Sequence, residues 1–134
     1  MSLIIVGTVA FDSIETPYGK ADRVVGGAAL YGSIAASFFT DGVELVSIIG
    51  GDFPQEELAY MVSRGIDLAG LDIKKDKKSF YWSGKYHDNM NARDTLITEL
   101  NVLAEFDPVL PSHCLLYTSP SPRDLSTSRM PSSA

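Results

Sequence analysis

The chain has 134 residues, which is enough for one domain with a hydrophobic core, and 45% of its residues are hydrophobic. Its formal net charge of −6 argues against a nucleic acid or an anionic membrane surface as a partner. The single cysteine, Cys114, cannot form an intrachain disulfide, and His87 and His113 lack the spacing of a metal site, so we expect no metal ligands here.

The first predicted element is a short buried strand within residues 3–9, which starts with the apolar run at residues 3–6. This stretch lacks the basic leader and the small-residue cleavage site of a signal peptide. No run reaches the ~18 apolar residues that a membrane span needs. We therefore expect a cytoplasmic protein.

A helix is predicted next, after a polar, turn-rich segment that lies between two extended stretches. The helix covers residues 27–39, because Leu30, Ile34 and Phe38 recur at the i, i+4, i+8 spacing of one helix face. Gly42 follows, and we expect it to end this helix with a left-handed cap.

A second, almost continuously apolar strand is predicted at residues 45–49, as a sheet covered on both faces requires. Asp52 is then a candidate N-cap for a second helix, Pro54 suits its first turn, and Gly65 suits its C-terminal cap. Strand, helix, strand and helix in this order predict an α/β domain with a parallel sheet.

The pattern changes in the next part of the chain. Apolar and polar residues alternate over 79–86, a second strand-like run occupies 95–100, and a polar loop joins them. The two runs predict an antiparallel excursion inserted in the α/β order. Such an insertion either covers a site or is a surface hairpin that only packs against the domain, and the pattern leaves both interpretations open.

Residues 115–134 differ in composition from the rest of the chain. Nine of these twenty residues are Ser or Pro and no periodicity is visible, so we expect no packed structure from them. The segment is either a natural disordered tail or a non-native one, and it resembles translated sequencing-adapter read-through. On the second interpretation, residues 1–114 are the N-terminal portion of a longer domain.

Gly26 and Gly27 lie at the start of the first predicted helix, where a phosphate-binding loop would lie. A dinucleotide fold would place Gly-x-Gly-x-x-Gly directly after the first strand, and a Walker loop would place Gly-Lys-Ser/Thr at the helix start, but neither is present. An NAD-dependent oxidoreductase is therefore disfavoured. Two glycines let a molecule approach the backbone closely, and the Asp12 carboxylate accepts hydrogen bonds from sugar hydroxyls. The sequence thus predicts a site for a small hydroxylated ligand.

Four stretches together resemble the ribokinase-like (PfkB-type) carbohydrate kinase family. They are IIVGTVAFDSI at 4–14, VVGGAALYGSIAASFF at 24–39, LVSIIGGDFPQEEL at 45–58 and SRGIDLAGL at 63–71. Each stretch alone is a weak signal, but their order makes the resemblance specific, and it covers roughly residues 3–113. It implies a Rossmann-like parallel sheet with helices on both faces and a small β lid formed by residues 14–25 and 79–100.

The resemblance also implies an activity, the transfer of the γ-phosphate of ATP, with Mg²⁺, to an alcohol of a sugar or nucleoside. Asp12 matches the family's hydroxyl-binding aspartate, and Gly26 and Gly27 match its substrate-side di-glycine. Tyr31 falls where many members have a sugar-contacting asparagine, and Ala10 replaces a polar residue of ribokinases, so an acceptor other than plain ribose is favoured. Lid strands in such kinases can pair between subunits, which allows a homodimer.

The family's catalytic segment, of the Gly-Ala-Gly-Asp type, has no counterpart in these 134 residues. In the family its aspartate takes the proton of the acceptor, and the adjoining helix N-terminus stabilises the transferring phosphate. We therefore assign no catalytic, cofactor-binding or metal-binding residue to this chain, and we expect it to be inactive as a kinase by itself. The alternative is a complete, non-enzymatic module that binds a small polar ligand.

Overall fold

The computed structural model describes residues 2–110, and the expectations about His113, Cys114 and residues 115–134 fall outside this range. The described residues form two β-sheets and two α-helices. In chain order the elements are β1 (Ser2–Val6), β2 (Ala10–Thr16), β3 (Gly19–Gly26), α1 (Ala28–Ser37), β4 (Gly42–Gly50), α2 (Gln55–Ser63), β5 (Ile66–Asp67), β6 (Leu71–Lys74), β7 (Phe80–Tyr86), β8 (Arg93–Glu99) and a 3₁₀ helix (Asn101–Glu105). No helix in this range is long and apolar enough to cross a membrane.

The first sheet is parallel throughout, and β4 lies at its centre. β1 pairs with one edge of β4, from Ser2 opposite Gly42 to Val6 opposite Val46, while β5 and β6 pair in succession with the other edge. Every residue of β4 from position 45 to position 50 is buried. The predicted α/β architecture with a parallel sheet is confirmed.

The hydrophobic core joins this sheet to both helices and to the second sheet. Leu30 of α1, Met61 of α2 and Leu45 of β4 are fully buried in one cluster. Phe11 of β2 belongs to the same cluster, and its ring centroid lies 5.7 Å from that of Phe53. Because apolar burial is the dominant stabilising contribution to folding, the packing of Phe11 in this cluster holds β2 of the second sheet against the first sheet.

The second sheet has the order β3, β2, β7, β8, and it combines the two segments for which the sequence predicts a lid. β2 and β3 are antiparallel, as are β7 and β8, and a parallel pairing of β2 with β7 joins the two hairpins. The two antiparallel strands predicted near residues 79–86 and 95–100 are therefore confirmed. The parallel pairing of β7 with β2 was not predicted, because these two strands are distant in sequence.

Three predictions about the first strand and first helix are wrong. β1 is only partly buried, with Val6 45% exposed, since within residues 2–110 only β4 pairs with it. Phe38 does not face the core but is 63% exposed, with the Arg64 guanidinium 3.9 Å from its ring centroid. Gly42 begins β4 and does not cap α1, which closes with a tighter turn in which the Phe38 amide bonds to the Ala35 carbonyl.

The second helix also begins differently from the prediction. Pro54 is the residue at its N-cap, and Asp52 makes no capping hydrogen bond. The Asp52 carboxylate instead accepts hydrogen bonds from the amide and the hydroxyl of Ser79, the residue directly before β7. Asp52 therefore bonds to a residue distant in sequence and not to the amides of the following helix. Gly65 does follow this helix with a φ of 80°, as its predicted role requires. Strands β5 and β6 were missed because runs of two and four residues are too short to show a period.

Candidate functional site

Asp12 lies in the middle of the second sheet, beside the glycine pair. β2 places it between Val24 of β3 and Trp82 of β7. Its carboxylate rests against Gly26, where a Cβ atom would overlap Oδ2. Only glycine at position 26 therefore leaves room for the carboxylate in this position. The juxtaposition of Asp12 with the glycine turn, predicted from the sequence, is present in the structure.

The Asp12 carboxylate is half-buried and accepts no hydrogen bond from any group within residues 2–110. Burial raises the pKa of Asp12 above its ordinary value, because the charged form loses part of its hydration. A partly dehydrated carboxylate without donors is unfavourable by itself. Hydroxyl groups of a ligand would supply the missing donors.

Thr8 contacts the backbone that follows Gly27. Gly27 has a φ of 104°, and a Cβ atom there would overlap the Thr8 carbonyl. That carbonyl accepts a hydrogen bond from the Ala29 amide (3.0 Å), and the Thr8 hydroxyl accepts one from the Ala28 amide (3.3 Å). Thr8 therefore satisfies amides at the start of α1 to which an anion would otherwise bind.

Tyr31 reaches from the first turn of α1 back to the glycine turn. Its hydroxyl donates to the Val25 carbonyl (2.9 Å), and its side chain remains 60% exposed. Ala10, where ribokinases carry a polar residue, is buried and pairs with Gly26 across β2 and β3. The predicted site residues thus gather around one turn, between β3 and α1, with Asp12 on the neighbouring strand.

Two concave pockets, of about 410 and 420 Å³, lie away from this turn. The first is lined by Lys77, Lys78, Asn101, Ala104 and Glu105, and the second by parts of β4 and β6 together with residues 106–109. Neither includes Asp12 or Gly26. In the described part of the chain, no group of three or more His, Cys, Asp or Glu side chains is arranged to hold a metal ion.

A polar network beside Asp12 was missed by the reasoning from sequence. It links Ser13, Arg23 and Tyr81 of the second sheet to Asp52, which follows β4 of the first sheet. The contact from Arg23 to Asp52 is an ion pair, with 3.1 Å between Nη2 of Arg23 and Oδ2 of Asp52. No spacing in the sequence signals this network, because its members come from separate elements that only the tertiary fold brings together.

No model of a known protein family matches the chain. Among curated proteins, the chain is similar to a cytidine kinase of Thermococcus kodakarensis, with 34% identity over 77 residues, which is 58% of this chain and 27% of the relative. The chain therefore spans about a quarter of the length of that relative.

Three of the solved structures of similar fold are kinases. A ribokinase from Cryptococcus neoformans in complex with ADP superposes with a TM-score of 0.61 and 21% identity, over 86% of this chain and 39% of that chain. A nucleoside kinase of Methanocaldococcus jannaschii, an archaeal member of the ribokinase family, gives 0.60 and 18%, over 80% and 40%. A nucleoside kinase of Burkholderia thailandensis in complex with inosine gives 0.58 and 20%, over 76% and 37%.

These similarities establish the fold. The resemblance to ribokinase-like kinases predicted from the sequence is confirmed at the level of architecture, and the described residues correspond to about two fifths of the length of those kinases. Together with the similarity to a cytidine kinase, they support a fold of the carbohydrate or nucleoside kinase type.

Proposed function

We propose that this chain is the N-terminal part of an ATP-dependent kinase that phosphorylates an alcohol group of a nucleoside or sugar, and that it carries the half-site for this acceptor. The observation that carries the proposal is the Asp12 carboxylate, which is half-buried against Gly26 and has no donor within residues 2–110. The ribokinase-like fold and the similarity to a cytidine kinase support the same assignment. Gly27 and Tyr31 complete the half-site.

In this proposal, the Asp12 carboxylate accepts hydrogen bonds from hydroxyl groups of the acceptor. Two neighbouring hydroxyls can each donate to one carboxylate oxygen, and such charge-assisted bonds are roughly twice as strong as neutral ones. The missing side chain of Gly26 leaves the room that this carboxylate occupies beside the turn. Because these donors stabilise the charged form, ligand binding should lower the pKa of Asp12 toward its ordinary value.

A nucleoside suits this half-site better than a free sugar. Tyr31 offers an exposed ring at the turn, and aromatic faces stack on nucleobases. Buried Ala10 provides no polar side chain for a sugar hydroxyl. The similarity to a cytidine kinase supports the same choice.

The described residues would bind and orient the acceptor without transferring the phosphoryl group. In this class of kinase, ATP supplies the phosphoryl group and Mg²⁺ neutralises its charge. Within residues 2–110 no group of three or more His, Cys, Asp or Glu side chains is arranged to hold a metal ion, and Thr8 accepts hydrogen bonds from two amides at the start of α1, so we assign neither cofactor to these residues. We place the ATP site and the catalytic aspartate in a continuation of the chain, and the kinase in the cytoplasm, where ATP is available.

The second sheet acts as the lid over the acceptor in this proposal, with residues 14–25 and 79–100 as its two segments. β3 and β8 form its outer edges, and an edge strand can pair with another chain. Leu96 and Ile97 of β8 are 57% and 47% exposed. We therefore assign β8 as the strand through which a homodimer would form.

Cytidine binding tests the half-site directly. The single tryptophan, Trp82, pairs with Asp12 in the sheet, so its fluorescence should report on the site. We expect cytidine to change this fluorescence in a saturable way and Asp12→Asn to weaken the binding about tenfold. Asp72→Asn is the matched control, since Asp72 is an exposed carboxylate of β6 that pairs with Lys74. Equal affinity in the wild type and Asp12→Asn would overturn the assignment.

A phosphorylation assay separates the kinase from a non-enzymatic binding module. We expect the 134-residue chain to form no phosphorylated cytidine from ATP, and the protein extended by its genomic continuation to form it. The continuation should add strand and helix units and a Gly-x-Gly-Asp segment. A genomic reading frame without them, combined with saturable cytidine binding, would favour the module.

A further inference from the structure

A bulge in β3 lies directly beside Asp12. The register shifts between Asp12 and Ile14, so that Asp22 and Arg23 of β3 both oppose Ser13 of β2. Arg23 has a φ of 52°, a conformation that is uncommon for a residue with a side chain. Bulges are enriched next to functional sites, where they re-aim a side chain. The side chain re-aimed here is that of Arg23.

Ser13 holds the bulge in place. Its hydroxyl donates to the Asp22 carboxylate (2.7 Å) and accepts hydrogen bonds from the Arg23 amide (2.9 Å) and the Tyr81 hydroxyl (2.8 Å). A serine hydroxyl has one donor and two acceptor positions, so all of them are used. Because Ser13 is buried, these bonds are shielded from water and fix the backbone at Arg23.

The bulge directs Arg23 out of its own sheet and toward the first one. Its guanidinium carbon lies 4.5 Å from the centroid of Phe11 and 5.7 Å from that of Tyr81, and Nη2 lies 3.1 Å from Oδ2 of Asp52. The other oxygen of Asp52 accepts hydrogen bonds of 2.8 Å from both the amide and the hydroxyl of Ser79. Both partners of the ion pair are therefore oriented by other contacts.

We propose that Arg23 is a positioning residue for acceptor binding, which holds the second sheet, and with it the Asp12 carboxylate, in place through Asp52 of the first sheet. This inference rests on the proposed function. An isolated ion pair on a protein surface contributes little. Here Arg23 is ordered by the Ser13 hydrogen bond to its amide and by stacking on Phe11. Asp52 is ordered by its bonds to Ser79. Less conformational entropy is therefore lost when the two side chains form the ion pair.

Hydrogen exchange of the free chain tests the positioning role without any ligand. Arg23→Gln removes the charge opposite Asp52, while the matched control Lys85→Gln removes the Lys85–Glu15 ion pair, which lies entirely within the second sheet and is similarly exposed. We expect Arg23→Gln to raise amide exchange in β2 and β7 about fivefold, and Lys85→Gln to leave it nearly unchanged. Equal exchange in the two variants would overturn the proposal.

Cytidine affinity gives the second readout. We expect Arg23→Gln to weaken cytidine binding about fivefold, and Arg23→Lys to recover part of the loss because lysine keeps the charge opposite Asp52. High salt should weaken wild-type binding toward that of Arg23→Gln, since salt screens a half-exposed ion pair while cytidine carries no charge. A wild-type affinity that does not depend on salt, or no recovery by lysine, would overturn the proposal.

The two measurements also separate this inference from the proposed function. A wild-type chain that shows no cytidine binding would overturn the proposed acceptor, and the exchange comparison would still decide whether Arg23 holds the sheets together. Cytidine binding with unchanged exchange in Arg23→Gln would keep the acceptor and overturn the role of Arg23.

Discussion

β4 and β8 show how differently the two sheets are stabilised. β4 is buried from position 45 to position 50 and has strands on both sides, whereas all seven residues of β8 are exposed, including Leu96 and Ile97. Regions with few buried apolar contacts open at a lower free energy than the core does. Because Asp12 belongs to the second sheet, the candidate site depends on the more easily opened part of the molecule and on the few contacts that tie it to the first sheet.

The largest contrast should appear when one apolar side chain is shortened in each sheet. Leu45 is 0% exposed, so Leu45→Ala should lower the free energy of unfolding by about 2–5 kcal/mol through lost burial and a residual cavity. Ile97 is 47% exposed in the single chain, so in a monomer Ile97→Ala should lower the free energy of unfolding by less than about 1 kcal/mol. Urea denaturation followed by circular dichroism measures both. Equal losses would mean that β8 is buried in solution, as a dimer through this strand requires.

The glycine turn between β3 and α1 should be the next most sensitive position. Gly27→Ala combines a φ of 104° with an overlap of the new Cβ atom and the Thr8 carbonyl, so we expect a loss of about 3 kcal/mol in unfolding free energy. Gly65→Ala is the matched control, because Gly65 has a φ of 80° but no atom within 4 Å of the added Cβ. Its loss should be about 1 kcal/mol. Similar losses would mean that only the backbone angle matters at position 27.

The central strand of the first sheet and the end of the second helix could be predicted from local pattern, whereas β5 and β6 could not. The apolar run at 45–49 is long enough to identify β4, and Gly65 marks the end of α2 because its left-handed conformation is a local requirement. Asp52 illustrates where local pattern fails. Its position suits a helix cap, but its carboxylate bonds to Ser79 and not to the helix amides. The buried Ser79 amide and hydroxyl both donate to the same carboxylate oxygen. The choice between these partners depends on tertiary neighbours that the sequence does not reveal.

The candidate site likewise has one part that local sequence pattern predicts and one part that it does not. Asp12 and Gly26 lie close together because their strands, β2 and β3, form one hairpin. Residues close in sequence were therefore sufficient to predict this contact. Arg23 was not predicted, because its role depends on a register shift and on Asp52, which follows a strand of the other sheet. A one-residue shift in register has no signature in hydrophobic alternation when the flanking residues are polar.

A smaller effect should come from the junction between the sheets. Ser79 is 1% exposed, and its hydroxyl donates to Asp52 while accepting a hydrogen bond from the buried Gly50 amide (2.9 Å). Ser79→Ala leaves that amide without its partner, so we expect a loss of about 1–2 kcal/mol. Ser63→Ala is the control, because the Ser63 hydroxyl bonds to the Tyr60 carbonyl at the exposed end of α2. If both variants lost the same stability in urea, Ser79 would not join the sheets.

The smallest expected effect is the pH dependence contributed by Asp12. Burial raises the pKa of Asp12 in the folded chain, so the folded chain holds this proton more tightly than the unfolded chain does. The stability that results is fully present below the ordinary pKa of 3.8 and is lost as pH rises through the higher folded value. Asp12→Asn, which cannot ionise, should therefore have a slightly higher urea midpoint than the wild type at neutral pH, and this difference should vanish in acid.

The two effects of Asp12→Asn have opposite signs, and together they discriminate between a binding carboxylate and a structural one. A carboxylate that only packs against Gly26 would change stability without changing cytidine affinity. A carboxylate that keeps a dehydrated charge free for ligand hydroxyls should lose affinity when replaced by asparagine while the folded state gains stability. The urea midpoint and the cytidine affinity of Asp12→Asn, both measured across pH, therefore test whether the unfavourable charge of Asp12 in the second sheet serves ligand binding.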